Sequence, residues 1–257
     1  MSQPMNLTFE NKHNPEAGPE AWPDTMWPLD PGILHGLPDQ LWPDPEELRS
    51  MEYPWQLLAA LNRARGERIT ETHGEAGVTF ENRDLTHIEG PVWFGPGATV
   101  LAMSKIYGPA YVGGTIGSFG LMRHSLVGTG GLVSAYCEVK ASVLGVRATT
   151  SHHDIILDSI IGNGVNIAGE VGTANVREDK GTIRTTVDGE KIDTGLTSFG
   201  TIIGEGSRLQ HNSAVMPGKL IGRHCIVGAG VHVYSNLPDN TRIENPRIEP
   251  VLSRLVD

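Results

Sequence analysis

The chain has 257 residues, with 20 basic and 30 acidic side chains, and its formal net charge of −10 is the wrong sign for a protein that neutralises nucleic-acid phosphates or an anionic lipid surface. Two cysteines, Cys137 and Cys225, are too few for a disulfide framework and lack metal-ligand spacing, so they read as thiols of a reducing compartment, the cytoplasm. There is no basic start followed by an apolar run, and no stretch of roughly 18 apolar residues, so neither secretion nor a membrane span is expected.

Ten of the 17 prolines fall within residues 1–54, and four of the five tryptophans (Trp22, Trp27, Trp42, Trp55) lie in nearly the same stretch. Proline fixes φ and removes a donor, so little regular structure is expected there. The large rings point to an arm pinned on the rest of the protein or on a neighbouring subunit; a solvated leader is the open alternative. After Pro54, the run WQLLAALNRARGE predicts one short helix, with Leu57, Leu58 and Leu61 on its apolar side and Gly66 at its C-terminal cap. Residues 55–84 are then a connecting helix and linker.

From Ile88 the period of the apolar residues becomes six. Ile88, Phe94, Val100, Ile106 and Val112 form one series, and Val92, Ala98, Ser104, Ala110, Ile116 and Met122 a second, smaller one. The pattern returns at Ile203, Leu209, Val215, Ile221, Val227 and Val233. Neither a 3.6-residue helix nor a period-two strand has this step. A hexapeptide β-helix does: three hexads close a triangular coil of about 18 residues, and the coils stack at roughly 4.8 Å. The predicted class is all-β, with the coil over 85–240 and a tail at 241–257. Glycines after the inward residues, as in Ile203-Gly204 and Ile161-Gly162, fit tight corners. The six-residue step slips near 124, over 145–160 and over 176–200.

The longest slip, 176–200, holds TIRTTV, Asp188-Gly189 and EKI, a hairpin signal expected to project from a corner. Solenoids carry function in such insertions and beside them. Just upstream stand Ser151-His152-His153-Asp154, whose imidazoles suit acid–base work near neutrality.

The run EVKAS (138–142), His152 twelve residues beyond Lys140, DSIIGNGVNIAGEVGTAN, the hairpin and FGTIIGEG together resemble the C-terminal domain of the bifunctional sugar-1-phosphate nucleotidylyltransferase and amino-sugar-1-phosphate N-acetyltransferase enzymes. The similarity covers roughly 85–240, and YPWQLL (53–58) looks like the connector that follows their nucleotidylyltransferase domain. That domain has no counterpart here, since there is no G-x-G-T-R phosphate loop; nucleotidyl transfer is not expected. The resemblance implies a left-handed β-helix, a homotrimer, and acetyl-CoA or another acyl-CoA as co-substrate, bound between subunits without a metal.

Carried over residue by residue, the resemblance makes His152 the general base, with His153 the alternative one position away. Arg123 and Lys140 match the cations that hold the sugar phosphate, and Asn166 and Asn175 match the amides that meet the sugar or orient the amine. Gly169, His211 and Ala229 align with positions along the acyl group and the CoA arm. The chain departs from the pattern at NIAGEV, which brings Glu170 to the thioester site, at Ile155 in place of a tyrosine, and at His211 in place of a serine. An added carboxylate suits a cationic or hydrogen-bonding acceptor, so acyl transfer to an acceptor other than glucosamine 1-phosphate is expected. Two other classes stay open: a non-catalytic trimeric scaffold, and a zinc site of three convergent histidines. For the latter, His152-His153, His211, His224 and His232 lack the H-x4-H spacing.

Overall fold

A computed structural model describes residues 36–187 and 189–246; the readings made for 1–35, for Asp188 and for 247–257 lie outside the described residues. The chain winds into a left-handed β-helix of about ten turns whose short strands stack into three parallel sheets. Face 1 begins at Thr79–Phe80 and passes through Thr99–Val100, Thr115–Ile116 and Leu132–Val133. It crosses single bridges at Thr149 and continues to Arg242–Ile243. Face 2 stacks eight strands from His87–Glu89 to His232–Val233, and face 3 seven from Val92–Phe94 to Lys219–Ile221. The strands therefore run a few residues past 85–240 at both ends.

Most strands point an aliphatic residue inward and bury it fully: Val100, Ile116 and Ile167 from face 1, Ile106, Met122 and Val139 from face 2, Val112, Val127 and Leu144 from face 3. Each contributes roughly 1.5–3 kcal/mol by leaving water. The slip over 176–200 is the hairpin, carried between Asn166 and Arg208, a step of 42; the slips near 124 and over 145–160 have a simpler cause. His87 pairs with Lys105 and Arg208 with Ile226, a step of 18, but Thr115, Leu132, Thr149 and Asn166 follow one another at a step of 17. Each middle coil is one residue short, so the sequence loses phase once per turn while the geometry stays in register.

Small residues close the corner between faces 2 and 3. Ser125, Ser142 and Ser159 are buried, and each hydroxyl accepts the N–H of the next coil, from Ser142 at 3.2 Å, Ser159 at 3.0 Å and Thr201 at 3.1 Å. The ladder satisfies backbone donors where the strands end. The glycines after inward residues serve close approach between coils: a β-carbon on Gly204 would lie 2.6 Å from the Arg223 nitrogen. Left-handed backbone at the corners is taken mostly by other residues, including Phe119, Tyr136, His153 and Glu170.

Among the described residues two α-helices stand outside the coil, one more than the sequence predicts: α1 (Pro45–Ser50) and α2 (Pro54–Arg68). Both start with proline at a position where the missing donor costs nothing. The Gln56 side chain accepts the Tyr53 N–H at 2.7 Å at the start of α2, which runs two residues beyond Gly66. Leu57, Leu58 and Leu61 of α2, with Leu41 and Leu48, bury the outward side of face 3, formed by Tyr111, Leu126, Val143 and Ile160. Residues 36–54 thus pack on their own coil. The hairpin, Arg184–Val187 with Glu190–Asp193, lies against the same face instead of projecting. Its Ile183 and Val187 are buried with Phe199, Ile202 and Leu220, because one side of the ribbon is apolar.

Candidate functional site

At the corner where face 1 passes into face 2, successive coils repeat one turn, and four of the singled-out residues share one column of it: His152, Gly169, His211 and Ala229. Backbone bonds tie the column together. Glu170 N–H donates to the His152 carbonyl at 2.8 Å, Asn212 N–H to that of Gly169 at 3.0 Å, and Gly230 N–H to that of His211 at 3.0 Å. His152 and His211 are exposed, two coils apart, or about 10 Å at the strand spacing. Between them Gly169 forms a notch: a β-carbon there would lie 3.2 Å from the His152 carbonyl oxygen and 3.7 Å from His211 Nδ1.

The neighbouring column carries the left-handed residues. Phe119 stacks on Tyr136 with ring centres 4.9 Å apart, and Tyr136 on His153 at 5.2 Å, with planes within 11°. His153 thus ends an aromatic stack that sets its ring orientation. Asp154 is fully buried below the pair. Its two oxygens accept the Ser151 N–H at 2.8 Å and the Val171 N–H at 2.9 Å. Asp154 therefore shapes the turn that presents His152. Burial pushes its carboxyl up to about 6, against the pull of those bonds and of the two imidazoles. Sequence reasoning gave Asp154 no role, although an acidic residue inside a histidine turn is the signal for one. The paired imidazole and carboxylate of this corner are His211 and Glu170, with Nε2 and Oε2 3.6 Å apart.

The remaining residues gather elsewhere. Arg123 and Lys140 stand in register on adjacent strands of face 2, at its far edge. The Lys140 ammonium donates to Asp158 Oδ2 at 3.0 Å, and the Asn175 amide donates to the same oxygen, while Arg123 pairs with Glu138. Asp158, missed in the sequence, joins Lys140 to Asn175. Helix α2 adds Arg65, which donates to the His124 carbonyl. Burial lowers this guanidinium to about 10, opposed by Asp158. His124 is held below its usual value by burial and then by Arg65, with Arg123 and Lys140 adding to the effect. Asn166 lies exposed on face 1, its amide 3.3 Å from Thr149 Oγ1. The cations and His152 thus occupy opposite edges of face 2, about 15 Å apart along a strand.

Among the described residues, no group of three or more histidine, cysteine, aspartate or glutamate side chains is placed to hold a metal ion, and no helix is long and apolar enough to cross a membrane. Both cysteines are buried and free.

No family model matches the chain. It is 31% identical over 129 residues to the bifunctional protein GlmU of Ruthia magnifica subsp. Calyptogena magnifica, covering 50% of this chain and 25% of that one. It is 29% identical over 117 residues to YaiX of Escherichia coli K12, a putative uncharacterized acetyltransferase, covering 46% of this chain and 51% of that one. The chain thus spans about half or less of the length of these relatives. Among solved structures, PerB from Caulobacter crescentus, in complex with CoA and GDP-perosamine, aligns over 70% of this chain and 57% of its own, with 19% identity and a TM-score of 0.22. Over about half of its length the chain is similar in sequence to these two proteins.

Proposed function

We propose that this chain is an acyl-CoA-dependent N-acyltransferase, with acetyl-CoA as donor. The acceptor is an amino sugar phosphate, a nucleotide-linked amino sugar or a similar small amine, and the working unit is a cytoplasmic homotrimer that needs no metal. The observation that carries the reading is the corner column, in which His152 stands beside the notch at Gly169. The notch is a space that a larger residue would fill, and it suits a thioester laid along the column past His211 and Ala229. His152 takes the proton of the amine as its nitrogen attacks the thioester carbon. His153 is the weaker candidate, because its ring is committed to the stack on Tyr136.

At the other edge of face 2, Arg123, Lys140 and Asn175 form a pole for the acceptor's anion, and the separation of about 15 Å from His152 suits the extended phosphates of a nucleotide-linked amino sugar better than a sugar 1-phosphate. These groups are already held by Asp158 and Glu138, contacts that the acceptor's phosphate has to displace. Asn166, exposed on face 1, meets the acceptor from the side.

Thiol release from acetyl-CoA with a panel of amines, including glucosamine and glucosamine 1-phosphate, tests the proposal. His152→Ala is expected to lose about 10²–10⁴-fold in rate, the usual share of a general base. Unchanged turnover in that variant removes His152 from the role. No thiol release with any amine, together with no thermal shift on adding CoA, favours the scaffold reading instead.

A further inference from the structure

Acylating an amine that arrives protonated requires the loss of two N–H protons, one before the nitrogen can attack and one as the amide forms. A single base beside the thioester accounts for only one of them. The corner column holds a second imidazole, and that one has a carboxylate. His211 Nε2 lies 3.6 Å from Glu170 Oε2, and its Nδ1 faces the notch, 3.7 Å from where a β-carbon of Gly169 would be. Glu170 is held at φ +64°, one residue after the notch, with its N–H bonded to the His152 carbonyl. The pair thus borders the same gap that His152 borders from the coil before.

We infer that Glu170 and His211 form a second acid–base element, which binds the acceptor as an ammonium ion and takes its first proton. The inference rests on the acyltransferase reading. Glu170, a positioning residue, sets its negative charge 3.6 Å from His211 Nε2 and draws the cation to the notch. His211 Nδ1 accepts one proton from the R–NH3+ group. The freed amine attacks the thioester carbon, and its second proton passes to His152 as the C–N bond forms. The C–S bond breaks, the departing thiolate takes the proton held by His152, and His211, exposed at the surface, gives its own to solvent. The products are the amide, the free thiol and one released proton.

The charged surroundings of His211 are sparse. The coil before it brings Glu170, and the coil before that His152 and His153. The next coil's turn, Ala229-Gly230, has no titratable side chain, and the adjoining strands carry Arg208 and His232. Among the described residues, Glu170 is the carboxylate within 4.0 Å of the ring.

The test is the pH dependence of kcat for thiol release, at saturating acetyl-CoA and glucosamine 1-phosphate or whichever probe amine turns over. Wild type, Glu170→Gln and His211→Gln are compared from below to above the pKa of the acceptor amine. Both residues are exposed, so both variants are expected to keep the wild-type melting temperature. Below the amine pKa both should lose at least about tenfold, and above it, where the amine arrives neutral, both should approach wild type. A loss by the same factor at every pH indicates binding or packing alone and overturns the inference, as does a profile that coincides with wild type. Wild-type protein that releases no thiol at any pH overturns the acyltransferase reading itself, a result separate from either of these.

Discussion

Asp154 gives the clearest link between a single residue and a measurable pH effect. Its folded pKa, raised by burial from 3.8 to about 6, means that the native state binds more protons than the unfolded chain between those values. Stability is then lost as pH rises through that window, by at most about 3 kcal/mol. Asp154→Asn cannot ionise, and one of the two backbone N–H groups loses its acceptor, so the variant starts from a deficit at low pH. That deficit should shrink as pH rises from about 4 to about 7, followed by urea unfolding at several pH values. A deficit that is constant with pH would show that the carboxyl titrates normally.

Among the elements, α2 and the coil corners place opposite demands on glycine. Gly66 lies in α2, exposed, with nothing within 4 Å of a β-carbon built on it, so Gly66→Ala should stabilise the protein by about 1 kcal/mol through helix propensity alone. At Gly204 the same change sets a methyl group against the backbone of the next coil and should cost about 1–3 kcal/mol. Melting temperatures of the two variants should therefore move in opposite directions. Leu61, fully buried between α2 and face 3, measures how much the helix contributes to the whole: Leu61→Ala should cost about 2–5 kcal/mol, read by chemical denaturation.

Across the whole molecule, the three faces differ in cover. Face 3 is closed over by the helices and the hairpin of the same chain, whereas the His152 corner and face 2 leave Phe119, Tyr136 and Ile155 about half exposed. These exposed apolar side chains are where we place the contact of the proposed homotrimer, at the same corner as the notch, so that assembly and activity should fail together. Sedimentation equilibrium should give three times 27.7 kDa, and Tyr136→Lys should shift the protein toward monomer. A wild-type monomer at working concentration would remove the intersubunit groove from the proposed function.

The coil and its inward residues were legible in the sequence, because most strands bury a side chain against the equivalent residue of the next coil and leave a local, repeating trace at Ile88, Val100 and Ile106. The column of His152, Gly169, His211 and Ala229 was indicated only through resemblance to a family; its physical basis, one turn repeated on stacked coils, is a contact between residues 17 to 42 positions apart. Burial of Asp154, its bonds to Ser151 and Val171, and the meeting of Glu170 with His211 were decided by stacking alone, as was the folding of the hairpin onto face 3. A linear chain states what each residue can do, but solvent exclusion and charge separation depend on which coil lies next to which, and that is set only when the turns close.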